Sequence, residues 1–219
     1  RAAERCFALG EQWDSAAMAV AEQIALEGDP SRRAPLLARR AELLEQAGNR
    51  AAAVRCLEQA IDLVPQDRDL LGKLEARYTA PSHFAELVAL LGSLAERVAE
   101  PSHRVELLRR AALVQGTHLR DEDGAAATLE RVLAIQQDAQ VLAWLADHEE
   151  RRGKLAEAAA RLRMLVSLSS DPADRRQFAL REAALIARLG GLERAIECYE
   201  TVLRDHDPAC HEALEAIAE

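Results

Sequence analysis

Apolar residues recur along this chain three or four positions apart, and the breaks between periodic segments fall at glycine and proline. This spacing predicts helices, because residues three and four apart share one helix face. In the clearest stretch, one apolar stripe occupies residues 37–44, Gly48 interrupts it, and a second stripe runs from Ala53 to Ile61 before Pro65. The pattern predicts two helices joined by a sharp turn, in which Gly48 adopts the left-handed conformation that ends a helix.

The two-helix pattern returns along the whole chain. In each repeat one residue, usually a small one, opens the second helix, and a larger apolar residue follows four positions later. The steps between successive opening positions are 37, 34, 38, 33 and 37 residues. A period in this range predicts a stack of helical repeats that bury their apolar faces against one another. The opening positions are Ala16, Ala53, Leu87, Ala125, Ala158 and Ala195.

Proline and glycine also set the expected boundaries. We expect one helical-repeat domain over residues 1–219, with repeats at 1–29, 30–65, 66–101, 102–138, 139–172 and 173–208 and the start of another at 209–219. Asp29, Asp171 and Asp207 each precede a proline, which predicts an N-cap followed by proline at the first helical position. Ser82 and Ser102 are expected to cap helices after the prolines that precede them.

The second helix of the clearest repeat carries a family resemblance. Gly48, Ala53, Leu57, Ala60 and Pro65 stand at the offsets of the tetratricopeptide repeat (TPR), a helix–turn–helix unit of about 34 residues. The resemblance covers nearly the whole chain. It implies an all-α fold, a right-handed α-solenoid of about six antiparallel helix pairs that forms a TPR-like superhelix.

Composition narrows the class of protein. The chain is 49% hydrophobic but only 3% aromatic, which suits helices that pack through small side chains. A net charge of −9 disfavours a nucleic-acid groove, which would need a basic face. No apolar run approaches the roughly 20 residues that cross a bilayer. We therefore expect no nucleic-acid partner and no membrane insertion. Positive charge comes almost wholly from arginine, which indicates a bacterial source.

The ends and the cysteines set the expected context of the chain. It begins with Arg1 and ends inside an apolar periodic segment, so we expect a piece of a longer protein. Cys56 and Cys198 occupy the same position in different repeats, too far apart for the roughly 7 Å between Cα atoms that a disulfide permits. Free, largely buried thiols fit a reducing compartment, and we expect the cytoplasm.

The sequence offers little for catalysis or metal binding. Cys198, His206, Cys210 and His211 lie close together, but their spacing differs from the paired spacings of zinc sites. No phosphate-binding glycine loop and no nucleophile motif is present, so we expect no enzyme activity, no catalytic residue and no cofactor. Four further histidines are expected in turns or on polar helix faces, where they would be exposed rather than catalytic. They are His83, His103, His118 and His148.

The remaining candidate is a binding surface. In TPR domains the first helix of each repeat lines the concave face, and in one subgroup lysine and asparagine there hold a peptide carboxylate. The positions of that asparagine are Glu42, Asp147 and Ala184 here, so this carboxylate clamp is absent. The same register turns Trp144 towards the groove as an apolar anchor, although packing against the adjacent repeat is the alternative. The candidate binding residues are Trp144, Asp147, Arg181, Arg188, Arg39 and Glu42.

These observations predict a non-catalytic scaffold that binds a protein or peptide segment along the concave face. One alternative is a regulatory or docking segment of a larger enzyme or signalling protein. Another is an architectural module that forms homo-oligomers through the ends of the solenoid.

Overall fold

A computed structural model describes residues 12–78, 83–205 and 207–218, so Cys6, Ser82 and His206 lie outside the described residues. Within these ranges the regular structure consists of α-helices and one short π-helix, Gln115–Leu119. The α-helices are α1 Trp13–Leu26, α2 Pro30–Gln46, α3 Arg50–Leu63, α4 Arg68–Glu75, α5 Phe84–Arg97, α6 Pro101–Val114, α7 Glu122–Leu133, α8 Ala139–Arg151, α9 Leu155–Leu168, α10 Pro172–Arg188, α11 Leu192–Asp205 and α12 His211–Ala218.

The chain forms two compact units, an N-terminal unit of residues 1–119 and a C-terminal unit of residues 120–219. In the N-terminal unit, α2 packs between α1 and α3, and α5 packs on α6. In the C-terminal unit, the helices from α7 to α12 each pack on the next. The predicted all-α class, with helices packed in consecutive pairs, is thus confirmed. The predicted boundaries of the individual repeats remain a prediction. So does their grouping into a single domain.

Three of the turns between paired helices have the same glycine-centred geometry. Gly48, Gly153 and Gly190 have φ of 80°, 76° and 83°, as the sequence predicted for Gly48. In the first of these turns the Asn49 N–H donates to the Leu44 carbonyl over 2.8 Å and closes the end of α2. The Asn49 side chain then accepts from the Ala52 N–H and caps α3. One residue therefore closes one helix and opens the next.

The predicted aspartate caps are partly confirmed. Asp29 accepts from the Ser31 N–H and Asp171 from the Ala173 N–H, each over 2.9 Å, with proline at the first helical position. The prediction for Asp207 is wrong, because α12 begins at His211 and Asp207 instead closes a turn with the Ala209 N–H.

The predicted cap at Ser102 is also wrong. Helix α6 begins at Pro101, so the N-cap is Glu100 and Ser102 lies inside the helix. Its hydroxyl donates to the Glu100 carboxylate instead of accepting from the backbone. Proline at the first helical position places the helix start at residue 101, two residues before the start that a Ser102 cap would give.

The residues that open the second helices lie in the core, as predicted. Ala16, Ala53 and Ala158 are fully buried, and Ala195 is 2% exposed. Leu87 fills the equivalent position in α5 with a larger side chain and is also buried. Small side chains at these positions let the paired helices approach closely.

Gly72 lies inside α4, yet no neighbouring helix approaches it closely. Within a helix, glycine costs about 1 kcal/mol relative to alanine, and close approach of a neighbouring helix would offset that cost. However, an added Cβ at Gly72 would meet no atom within 4 Å. Close packing therefore does not explain this glycine, and nothing in the structure does.

The described cysteines are free thiols. Cys56 and Cys210 are buried and Cys198 is half-buried. Burial raises the pKa of the Cys56 and Cys198 thiols, which favours their neutral form. Among the described helices, none combines the length and the apolar character that a membrane span requires.

Candidate binding surface on the first helices

The first helices of two successive repeats, α8 and α10, are joined by a cluster of ion pairs. Arg181 on α10 reaches Asp147 over 2.6 Å and donates to Glu150 over 3.0 and 2.6 Å. Arg188, two turns further along α10, donates to the other Glu150 oxygen over 2.9 Å. The structure thus brings together three of the predicted binding residues, Asp147, Arg181 and Arg188. It adds Glu150, and all four charges are mutually paired.

The pairing changes the acidity of the groups involved. Hydrogen bonds from Arg181 lower the pKa of Glu150, burial opposes this effect, and Arg188 adds to the lowering. Burial disfavours the charge on Arg181, but the hydrogen bonds to Glu150 and Asp147 outweigh it and raise the Arg181 pKa. Both pKa shifts favour the charged forms of Glu150 and Arg181.

Trp144 lies on α8 beside this cluster. It precedes Asp147 by three residues and His148 by four, so the three side chains are neighbours on one helix face. The indole is partly exposed and stacks on the His148 ring, with 5.3 Å between ring centroids and 6° between ring planes. Trp144 is therefore supported from within its own helix rather than inserted into the apolar core. Whether it contacts a partner stays a prediction.

His148 contradicts the expectation that the histidines are exposed. It is 5% exposed and lies between Trp144 and two carboxylates at the start of α7. Its Nδ1 is 3.5 Å from Glu122 and its Nε2 is 3.2 Å from Asp123. Arg151 also reaches Glu122, over 2.8 Å, and Arg152 reaches Asp123. His148 is thus a structural residue that ties α8 to α7.

His103 is a second correction. It is 2% exposed in the first turn of α6, and its Nε2 is buried without a hydrogen-bond partner within the described residues. Of the other two, His83 is half-buried and His118 is exposed, where it stacks on Phe84 with 4.2 Å between ring centroids. The polar neighbours of His103 in the sequence gave no sign of its burial.

The N-terminal unit places the remaining two predicted residues together. Arg39 donates to Glu42 over 3.2 Å within α2, and Lys73 on α4 donates to the other Glu42 oxygen over 3.0 Å. Burial opposes ionisation of Glu42, but the hydrogen bonds from Lys73 and Arg39 outweigh it and lower its pKa. One turn further along, Arg77, in the turn that follows α4, forms a second pair with Glu45 on α2. Arg39 and Glu42 are therefore part of a link between first helices.

The link continues from α4 to α6. Arg110 reaches Glu75 over 3.2 Å, and Arg68 reaches Glu106 over 3.1 Å. These hydrogen bonds, including the one from Arg77 just after α4, join residues 31, 32, 35 or 38 positions apart, which is about one repeat. A search for opposite charges separated by one repeat would have found these pairs in the sequence.

The buried Glu149 belongs to an ion-paired network inside the C-terminal unit. Glu149 is 8% exposed and one of its oxygens accepts from Arg161 over 3.3 Å, while Arg161 also pairs with Glu130. This network joins α7, α8 and α9 through one oxygen of the buried Glu149 carboxylate, while its Oε2 has no hydrogen-bond partner among the described residues. Among the described residues, no group of three or more histidine, cysteine, aspartate or glutamate side chains could hold a metal ion.

Comparisons with known proteins give structural likenesses only. No family model matches the chain, and no curated protein sequence matches it significantly. The TPR domain of P58(IPK) is 16% identical, with a TM-score of 0.44, and the match covers 98% of this chain and 61% of that one. PilF of Pseudomonas aeruginosa is 13% identical, with a TM-score of 0.42 and coverages of 98% and 93%.

A third likeness is to the C-terminal part of a TPR repeat-containing protein from Cytophaga hutchinsonii. It is 12% identical, with a TM-score of 0.43, and the match covers 98% of this chain and 84% of that one. Structural neighbours of this chain thus include TPR proteins that match over nearly its whole length. Identities this low say nothing about partners.

Proposed function

We propose that this chain is a non-catalytic, TPR-like binding module that holds a peptide segment of another protein against its first helices. The Trp144 indole is the anchor, and the ion-paired cluster beside it orients the bound segment. The module acts as a scaffold, in the cytoplasm, without a cofactor.

One observation carries the proposal, the stacking of Trp144 on His148. Partly exposed tryptophan is uncommon on a surface unless it packs or binds, and large aromatic residues are favoured as binding anchors. The buried His148 ring fixes one face of the indole, so Trp144 loses little side-chain freedom when a ligand covers its other side. A preorganised aromatic surface beside charged groups suits an apolar side chain flanked by polar ones.

Arg181 and Arg188 should contribute less to the affinity for a ligand than Trp144 does. Arg181 and Arg188 already have carboxylate partners, so a ligand would exchange one ion pair for another. Such exposed exchanges contribute roughly 0 to 1 kcal/mol each. Trp144 should therefore contribute more to affinity than any single arginine.

The proposal is tested with a displayed library of random peptides selected on the whole chain. An enriched peptide is synthesised, and its Kd is measured by calorimetry for the wild type and for Trp144→Ala, Arg181→Ala and Arg188→Ala. We expect Trp144→Ala to weaken binding by about ten-fold or more, and each arginine change by less.

Two matched controls keep the result interpretable. Trp13→Ala removes the other tryptophan, on α1, and should leave Kd unchanged, while Trp144→Phe should retain part of the affinity. Thermal unfolding establishes that each variant is folded. Enriched peptides that bind Trp144→Ala as tightly as the wild type, or a selection that enriches none, would remove the basis for this function.

A further inference from the structure

The apolar stripe of α11 is wider than the surface that neighbouring helices cover. On its covered side, Ala195, Tyr199 and Val202 are buried in the core of the C-terminal unit. On the adjoining side, Leu192 is 64% exposed and Ile196 is 38% exposed. These two residues are four positions apart, so they lie on one face of the helix. A helix normally covers such a face, and here it is open.

The exposed stripe continues along the helix. Leu203, seven residues after Ile196, lies on the same face and is half-buried against the core. From residue 192 to residue 203 the stripe runs about 16 Å along the helix axis. This length is three turns, enough for another helix to pack along it.

Three carboxylates border the stripe. Glu193, Glu197 and Glu200 are exposed and spaced four and three residues apart, so they form a second line beside the apolar one. None of the three forms a salt bridge within the part of the chain that the structure describes. Arg204 lies on the same side but is held by Asp205 over 3.0 Å.

The surroundings are acidic as well. The C-terminal unit contains 13 basic and 20 acidic residues, so it carries −7 of the net charge of −9. A partner that approaches α11 therefore meets a negative field, which accelerates association of a cation and opposes that of an anion.

We propose that the surface formed by Leu192, Ile196 and Leu203 with the bordering Glu193, Glu197 and Glu200, which we call the α11 stripe, docks a basic amphipathic helix of a partner protein. The apolar side of that helix covers the leucine and isoleucine side chains, and its lysines or arginines face the glutamates. A second copy of this chain fits less well. Two α11 stripes packed antiparallel would bring their carboxylates together, and two units that each carry −7 repel one another in any arrangement. The proposal does not depend on Trp144, which lies on α8.

The test uses a labelled synthetic peptide of leucine, alanine and lysine, with its leucines four residues apart, and fluorescence anisotropy with the whole chain. We expect the wild type to bind it, with an affinity that falls as salt is added. The double change Leu192→Ser and Ile196→Ser should weaken binding by about ten-fold or more. The triple change Glu193→Gln, Glu197→Gln and Glu200→Gln should weaken binding and reduce its salt dependence.

Matched substitutions on α9 provide the control. Leu168→Ser removes a leucine that is 38% exposed, and Glu157→Gln removes an exposed carboxylate. Both should leave the affinity unchanged. A peptide with glutamate in place of lysine should not bind. The altered residues are exposed, and circular dichroism melting curves establish that the variants remain folded.

Several results would overturn the proposal. One is equal binding to the wild type and to the α11 variants, and another is binding of the glutamate peptide as tight as that of the lysine peptide. A dimer seen by sedimentation and abolished by Ile196→Glu would assign the stripe to a second copy. Trp144→Ala should leave this binding unchanged, so the failure of one proposal is distinguishable from the failure of the other.

Discussion

Arg181 donates two hydrogen bonds to Glu150, over 3.0 and 2.6 Å, although 31 residues separate them in the chain. The two residues lie on the first helices of successive repeats, α8 and α10. Similar bonds connect Glu42 to Lys73 and Glu75 to Arg110 in the N-terminal unit. Much of the charge on the first helices therefore holds those helices together, and only a part of it is free to orient a ligand.

Replacing Arg181 with methionine should destabilise the C-terminal unit. Arg181→Met removes the bridge to Asp147 and Glu150 but leaves the apolar part of the side chain, and Glu150 keeps Arg188. The Arg181 side chain is 39% exposed, so we expect a loss of only about 1 kcal/mol in the free energy of unfolding. Urea denaturation measures it.

The control for that experiment is Arg32→Met. Arg32 is 76% exposed in its side chain and pairs at 3.7 Å with Asp29 at the start of the same helix. Because it joins no two helices, its replacement should change stability by less than about 0.5 kcal/mol. Equal losses of unfolding free energy in Arg181→Met and Arg32→Met would show that ion pairs between repeats do not contribute to stability.

The pairing of Glu150 predicts a dependence on pH. Its pKa in the folded chain lies below the ordinary value of 4.5, so the folded state binds fewer protons than the unfolded state. The stabilisation is fully present above pH 4.5 and is lost as the pH falls through the folded pKa. The stability difference between the wild type and Glu150→Gln should therefore narrow in acid. Urea unfolding at several pH values checks this, and a parallel narrowing in Glu157→Gln would mean that the arginines are not its cause.

The buried alanines that open the second helices should not accept larger side chains. Ala53→Leu, Ala158→Leu and Ala195→Leu each force two packed helices apart, at an expected cost of about 1 to 3 kcal/mol. Leu87→Ala should cost about 2 to 5 kcal/mol by leaving a cavity. Melting curves measure both kinds of change.

Ala156→Leu is the matched control, because Ala156 is exposed two residues before Ala158 on the same helix. It should leave the melting temperature nearly unchanged. If Ala158→Leu is as stable as Ala156→Leu, the helices do not cross closely at this position.

The glycine turns predict a simple substitution series. Gly48 has φ of 80° with open space around it, so an added Cβ meets no neighbour and the whole cost comes from the backbone. Gly48→Ala should lose about 1 to 2 kcal/mol, and Gly48→Asn less, because asparagine tolerates the left-handed conformation better. Gly72→Ala, inside α4, should instead stabilise by about 1 kcal/mol. Thermal unfolding of the three variants would show opposite signs at the two sites, and the same sign at both would contradict this assignment.

His148→Leu should affect both stability and the setting of Trp144. It removes the polar contacts to Glu122 and Asp123 and the ring beneath the indole, so we expect a loss of about 1 to 3 kcal/mol. In a Trp13→Phe background, Trp144 emission should move to longer wavelength as water reaches the indole. His118→Leu, at an exposed histidine far from Trp144 in the sequence, should leave the Trp144 emission unchanged, and an unchanged emission in His148→Leu would show that His148 does not support the indole.

The parts of the fold that depend on neighbouring residues could be predicted from the sequence. The conformation of Gly48 and the caps at Asp29 and Asp171 involve atoms a few residues apart, so local patterns determine them. The burial of Ala53 and Ala158 follows from helical spacing alone. The predicted cap positions were wrong at Asp207 and Ser102, where several residues within one turn could serve as the first residue of the helix.

The candidate site was less predictable, because its contacts cross from one repeat to another. The sequence identified Trp144 and Arg181 as surface residues, but not that Arg181 already has carboxylate partners. The burial of His148 depends on Glu122 and Asp123 at the start of α7, which the spacing within α8 does not reveal. Comparing charges one repeat apart supplies the missing information for the ion pairs, though not for the histidine.

Every residue of the turn at Gly48 and Asn49 has a structural role, because Asn49 both closes α2 and caps α3. An inserted residue would either separate those two roles or enter the second helix and rotate every later side chain by about 100° around its axis. The second outcome would carry Ala53 out of the core. At this turn a change in chain length would therefore disturb the helix pair, whereas residues 134–138, between α7 and α8, join consecutive helix pairs and can lengthen without altering how the two helices of a pair fit together.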